Sequence, residues 1–392
     1  MKYWRGYLVA VIFAVVTWAL TQFAAAHSVL VDMIYPYVSR LVVTTLSQWT
    51  AGGSCVWQTA LILMVVGLIV TVVLMFVLKW NPIQWLGWVL AAVSCLFMLH
   101  TGLYGLNAYA SPLADDMSLT ITDYTVSELN EAAVYFRDQA NELAKQVSRD
   151  SKGDTEFGTF EEMAEQAADG YEALTYEDAI SVFAGSRVPV KKQGMFAFKG
   201  DSGITVPLTG EAAVNPKVPE ACLPFAMCKE MAHRMCIYSE EDAIFAAFLA
   251  ASRNESVDFQ YSAYLMAYYY CYEALSSIPT STAQACATQT NKGVNQLLSN
   301  DLKDCAAFYG ETEASKKQTH NIRAADQQAK REDSLITFSE YTSAADLFAS
   351  WYIENYILPL HQEEEAPFDP LDKTQVDLTT TVEITETLPE KD

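Results

Sequence analysis

The chain has 392 residues and a formal net charge of −23, from 48 acidic and 25 basic side chains. That balance argues against nucleic acid or an anionic lipid surface as the main partner, because both would repel it. The length allows a membrane anchor plus one sizeable domain, or two small ones. Almost all the acid lies beyond residue 106, after a stretch that is nearly uncharged.

Three apolar runs are each long enough to cross a bilayer: residues 7–26, 56–78 and 84–106. A helix needs roughly 20 residues to span about 30 Å of hydrocarbon. Lys2 and Arg5 precede the first run, and Lys79 lies in the "KWNPIQ" turn between the second and third. The positive-inside rule puts all three on the cytoplasmic side, with Trp80 and Trp85 at that interface. Residues 107–392 are then expected outside the membrane. "FAAAHS" places Ala24 and Ala26 in an A-x-A pattern, so the first run also reads as a cleavable signal peptide. Residues 27–55 are apolar but broken by Asp32, Pro36 and Arg40, which predicts an interfacial segment rather than a fourth span.

Eight cysteines are present, six of them beyond residue 106: Cys222, Cys228, Cys236, Cys271, Cys286 and Cys305. An even number outside the cytoplasm permits disulfides, and Cys286–Cys305 is the first pair to test. No C-x-x-C occurs, so neither a zinc ribbon nor a thioredoxin-like centre is supported.

Beyond the anchor, residues 107–360 read as one domain. "YTVSELNEAAVYFRDQANELAKQV" and "GTFEEMAEQAADGYEAL" are helices, each opened by a capping box, Thr125 with Glu128 and Thr159 with Glu162. Residues 187–218, rich in Gly, Pro, Val and Thr, predict a small sheet with turns. A dense helical block follows over 220–277, and more helices are expected through "NQLLSNDLKDCAAFYG" and "SEYTSAADLFASWYIENYIL". Residues 361–392 are acidic and Thr-rich without periodicity, the composition of a disordered tail.

"KEMAH" (229–233) carries the chemistry. In the zinc-protease motif H-E-x-x-H, two histidines one helical turn apart share the metal and the glutamate polarises the attacking water. Here Glu230 and His233 hold the glutamate and second histidine positions, while Lys229 replaces the first histidine. By continued helical spacing, Cys236 and Glu240 fall near the same face. Cys228 lies about 140° around the helix from His233 and is a poorer donor.

With these residues the chain resembles the bacterial membrane-anchored family catalogued as domain of unknown function thirty-eight-ten, whose members are regarded as zinc metallopeptidases. "GLYGLNAYASPL" (102–113) is similar to that family's W-G-x-N-Y-x-R-x-P-L segment, without its arginine. "VPLTGEAAVN" (206–215) resembles its P-x-T-G-E-A-x-V-N strand. "KEMAHRMCIYSEEDAIF" (229–245) resembles H-E-x-A-H-Q-x-G followed by E-x-E-A-N-F. The likeness covers roughly residues 95–355. It implies a mainly α fold, a zincin-like extracytoplasmic domain with a small β element behind three transmembrane helices. It also implies Glu230 as general base and His233 and Glu240 as metal ligands. The departures are Lys229 for histidine, Arg234 for glutamine, Cys236 for glycine, Asp242 for glutamate and Ile244 for asparagine.

The residues leave three readings. In the favoured one the fold persists without tight zinc, and the Lys229 ammonium takes the cation's place beside Glu230 or Glu240. In the second, zinc is bound by His233, Glu240 and the soft thiolate of Cys236 as substitute ligand. In the third, the motif is coincidence and His233 is an ordinary core histidine. Glu211, Asp242 and Tyr261 are candidates for lining a cleft, although Glu211 reads equally as bracing the helix and an aromatic residue on a packed helix is more often core. His320 and His361 are weak candidates for a remote ligand. The expected function is a degenerate, metallopeptidase-like membrane protein that needs no cofactor and binds a peptide or cell-envelope partner. The alternatives are an active zinc endopeptidase and a structural membrane subunit.

Overall fold

The computed structural model describes residues 4–310, apart from 179 and 186, the backbone of 335–336, and residues 343–359. The region expected to be a tail, together with His320 and His361, lies outside the described residues. The architecture is mainly helical with a small sheet.

Four helices, not three, are long and apolar enough to cross a membrane. They are α1 (Arg5–Ala26), α2 (Ser28–Trp49), α3 (Val56–Val77) and α4 (Pro82–Leu103). Such helices suggest a membrane protein. The expectation of a broken segment over 27–55 is corrected here, because α2 runs unbroken through Pro36. Asp32 accepts from the backbone of Ser111, and Arg40 donates to the carbonyls of Met235 and Ser181. The charges that seemed to interrupt the helix therefore bind the rest of the protein.

α1 and α4 run parallel. Near their starts, Gly6 meets the backbone of Gly87 and Trp88, where any side chain would collide, and the Tyr7 hydroxyl donates to the Ile83 carbonyl. Near their ends, Ala24 shares a cluster with Leu106 and Val31. α3 is apolar and exposed almost all round, the pattern of a helix in lipid. Asn81 caps the next helix, accepting from the amides of Ile83 and Gln84, and Pro82 fills the first position.

The remaining chain forms a globular body. A short helix α5 (Leu113–Asp116) leads to strand β1 (Tyr124–Thr125) and helix α6 (Val126–Leu143). Helix α7 is Phe160–Tyr176, and both expected capping boxes are formed, each satisfying two otherwise orphaned amides. Strands β2 (Lys191–Lys192), β3 (Gly203–Val206) and β4 (Glu211–Val214) make one sheet in the order β2-β4-β3. β2 is parallel to β4 and β3 antiparallel, with Gly203 opposite Val214 and Val206 opposite Glu211. Gly210 turns the β3–β4 hairpin at φ +68°, and a side chain there would strike the backbone of Val43 and Ser47 on α2. Only glycine meets both demands.

Helices α8 (Leu223–Arg234), α9 (Glu240–Arg253), α10 (Val257–Ser277), α11 (Ser281–Lys292) and α12 (Gln296–Tyr309) follow. β5 (Leu335–Ile336) pairs with β1, and a helix over Ala344–Tyr352 runs on into a π-helical turn, Ile353–Ile357. Phe136, Phe245, Phe248, Phe348 and Trp351 interlock around α10, several edge to face. α8 is buried on nearly every side, so its polar residues are held in the core.

The expected Cys286–Cys305 pair is not formed. Cys305 bonds Cys222 across 83 residues, joining the start of α8 to α12, and Cys286 is free.

Candidate functional site

The last two turns of α8 carry Lys229, Glu230 and His233 on one side. The helix stops at Arg234 and closes with a Schellman turn. Cys236 N–H donates to the His233 carbonyl and Ile237 N–H to that of Ala232, with Cys236 itself left-handed at φ +70°. Helical spacing therefore does not continue to residue 240. Glu240 is instead the first residue of α9, after Ser239, whose hydroxyl accepts from the Asp242 amide. The chain reverses, and Glu240 reaches back over α8.

Lys229 Nζ lies 2.5 Å from Glu240 Oε1 and 3.6 Å from Glu230 Oε1. His233 Nε2 lies 3.0 Å from the other Glu240 oxygen, and Nδ1 lies 3.0 Å from the Ile237 carbonyl oxygen. A carbonyl can only accept, and so can an ionised carboxylate. Both ring nitrogens must then donate, which requires the imidazolium; a neutral ring has one N–H. Lys229 and His233 together set two positive charges against Glu230 and Glu240.

Electrostatics agrees with this geometry. Burial opposes the charge on His233, but the hydrogen bond and charge of Glu240, with Glu230 adding, raise its pKa above the ordinary value. Burial likewise opposes the Lys229 ammonium, and Glu240 and Glu230 outweigh it, so its pKa is raised. Burial pushes the Glu240 carboxyl up, yet Lys229 and His233 hold it well below the usual carboxylate range.

Glu230 is only 2% exposed. Its oxygens accept from Ser202 (3.1 Å) and Thr205 (3.2 Å), and Thr205 also donates to its backbone carbonyl (3.0 Å). Gly203 opposite leaves room for its side chain. The carboxylate that would serve as general base is clamped between the sheet and Lys229. Sequence gave no signal for Ser202 and Thr205, because nothing local says that β3 docks on α8.

The residues present do not fit zinc. Both nitrogens of His233 and both oxygens of Glu240 are engaged, and Lys229 offers an ammonium with no lone pair. Cys236 is not beside His233 as spacing suggested, since the helix has already ended. Its thiol is buried 3.2 Å from the Ser39 hydroxyl on α2, and burial pushes its pKa up, against the thiolate that zinc needs. Among the described residues, no group of three or more His, Cys, Asp or Glu side chains is placed to hold a metal ion.

The cleft candidates Glu211, Asp242 and Tyr261 are all buried. Glu211 is buried and caps α3, accepting from the amides of Val56 (2.7 Å) and Trp57 (2.8 Å) and pairing with Lys191 (2.7 Å). Lys191 also donates to the carbonyls of Thr50 and Ser54. Tyr261 is fully buried, with its hydroxyl on Asp301, which pairs with Arg149 at 2.8 Å. Asp242 is buried in the first turn of α9. Arg234, next to His233, is buried and donates to the Val188 carbonyl.

A family model described as "Protein of unknown function (DUF3810)" matches residues 31–327. The chain belongs to this family. The match begins inside α2, so α2, α3 and α4 are part of the family unit and not an appendage. No curated protein and no solved structure matches the chain.

Proposed function

We propose that this protein is a catalytically degenerate, metallopeptidase-like membrane protein. Its globular body faces out of the cell and binds a peptide or a cell-envelope component. The observation that carries the reading is Lys229 seated on Glu240 and beside Glu230. In the family pattern a metal-binding histidine occupies that position and leaves the carboxylates to a cation. Here the cationic charge comes from the protein itself, through Lys229 and the imidazolium of His233. A buried pair of carboxylates needs such compensation, or one of them takes up a proton.

Two features support the outward orientation. Arg5 and Lys79 lie at the same end of the parallel α1–α4 pair, away from the globular body, as the positive-inside rule requires of the cytoplasmic end. The Cys222–Cys305 disulfide suits an oxidising compartment. The competing reading, an active zinc endopeptidase using Cys236, needs that thiol to leave its place against Ser39.

The test is peptide hydrolysis by the purified full chain with added zinc, compared with Glu230→Gln. We expect no turnover that depends on Glu230. Hydrolysis that Glu230→Gln abolishes overturns the proposal.

A further inference from the structure

We propose that α2 does not cross the membrane but lies flat at its surface, one face on lipid and the other carrying the globular body. α1 and α4 are parallel, so Ala26 and Leu103 emerge on one face of the anchor and Arg5 and Pro82 on the other. α3 joins α4 through the short turn 78–81, which puts Val56 at the level of Ala26. The chain thus leaves α1 and enters α3 on the same side. A helix between two points on one side has not crossed. At 1.5 Å per residue the 22 residues of α2 extend about 33 Å, enough to underlie the body.

Its contacts follow that path. Tyr35 donates to the Gly102 carbonyl, and Ser39 donates to that of Leu103 and accepts from Asn107. Further along, Arg40 reaches Met235, Val43 and Ser47 receive Gly210, and Thr50 donates to the Thr209 carbonyl. These partners all belong to the end of α4, its continuation or the globular body. The opposite face is apolar and exposed: Leu30, Met33, Ile34, Tyr37, Leu41 and Trp49, with Leu41 at 68% and Trp49 at 80%. Both charged side chains of α2, Asp32 and Arg40, turn away from it.

The occupant of this face is the bilayer that holds α1, α3 and α4, since the face is continuous with the ends of those spans. An interfacial helix ordinarily gives its polar side to water; this one gives it to protein. The arrangement also places the end of α8 directly on α2, through Ser39 and Cys236.

Two measurements on the full chain in sealed vesicles decide the matter. The first is labelling by a membrane-impermeant maleimide of Ser28→Cys, Lys152→Cys on the globular body, and Lys79→Cys, each read at its own peptide by mass spectrometry. If α2 lies flat, Ser28→Cys labels from the same side as Lys152→Cys, and Lys79→Cys from the other. If α2 crosses, Ser28→Cys labels with Lys79→Cys, and the proposal fails. The second places a benzophenone side chain at Leu41 and, as an exposed control on the globular body, at Tyr176. Lipid adducts at least tenfold more abundant at Leu41 support the proposal. Equal yields, or adducts at Leu41 with a protein partner or a second copy, overturn it.

Discussion

Lys229 and Glu240 form an ion pair at 2.5 Å across a chain reversal, from the second-to-last turn of α8 to the first residue of α9. Lys229 is 11% exposed and Glu240 47%, so one partner is in the core and the other at its rim. Removing the buried partner should then cost more than removing the rim partner. Lys229→Met leaves Glu230 and Glu240 without their ammonium, and breaking a buried pair this way costs about 3 kcal/mol, the low end of the usual range, given the exposure of Glu240. Glu240→Gln should cost about 1 kcal/mol, because Lys229 retains Glu230. Denaturant unfolding of the full chain in detergent checks the order, and equal losses would contradict it.

His233 predicts a pH dependence with a definite sign. Its folded pKa is raised, so its stabilising contribution is fully present below the unfolded value of about 6.5 and is lost as pH rises through the folded value. Glu240 is depressed, so its contribution is present above about 4.3 and is lost as pH falls through the folded value. The site should contribute most between those limits. Unfolding midpoints across pH should show the advantage of the protein over His233→Gln shrinking above about pH 6.5. A difference that grows with pH would contradict the imidazolium.

Much of this was legible in the sequence, and the failures share a cause. The capping boxes at Thr125 and Thr159, the apolar runs that became α1, α3 and α4, and the motif on α8 are local patterns of spacing and type. The misreadings depended on distant partners. Asp32, Pro36 and Arg40 look like breaks in a helix until Ser111 and Met235 are beside them. The two roles open to Glu211, touching a ligand or bracing a helix, are separated only when α3 presents its free amides. Cys236 falls in phase with His233 only if the helix continues, and the Schellman turn ends it first.

That turn makes a prediction of its own. Glycine is the usual residue where Cys236 sits at φ +70°, and a left-handed residue with a side chain costs roughly 1–2 kcal/mol. Cys236→Gly relieves that strain while losing a buried thiol, so the net change should stay within about 1 kcal/mol. Cys236→Val adds a β-branched side chain in the same conformation and should destabilise by more than 1–2 kcal/mol, on the order of a backbone outlier. Thermal unfolding of the two variants distinguishes this from a ligand role, in which both changes, each removing the sulfur, would be similarly damaging.

The Cys222–Cys305 bond closes a loop with a sequence separation of 83. Chain entropy assigns such a crosslink about 4–5 kcal/mol. Replacing both residues by serine should cost about that much, while Cys286→Ala should change stability by less than about 1 kcal/mol. Mass spectrometry of an unreduced digest should find the peptides of Cys222 and Cys305 joined. A Cys286–Cys305 crosslink would contradict the pairing.

The central claim of the proposed function is that Lys229 and His233 supply positive charge to Glu230 and Glu240 in place of a metal ion. Zinc content per chain, measured on full-length protein purified without chelators and on Glu240→Ala, tests it most directly. The account predicts no stoichiometric zinc in either. One zinc per chain that disappears on Glu240→Ala would contradict it.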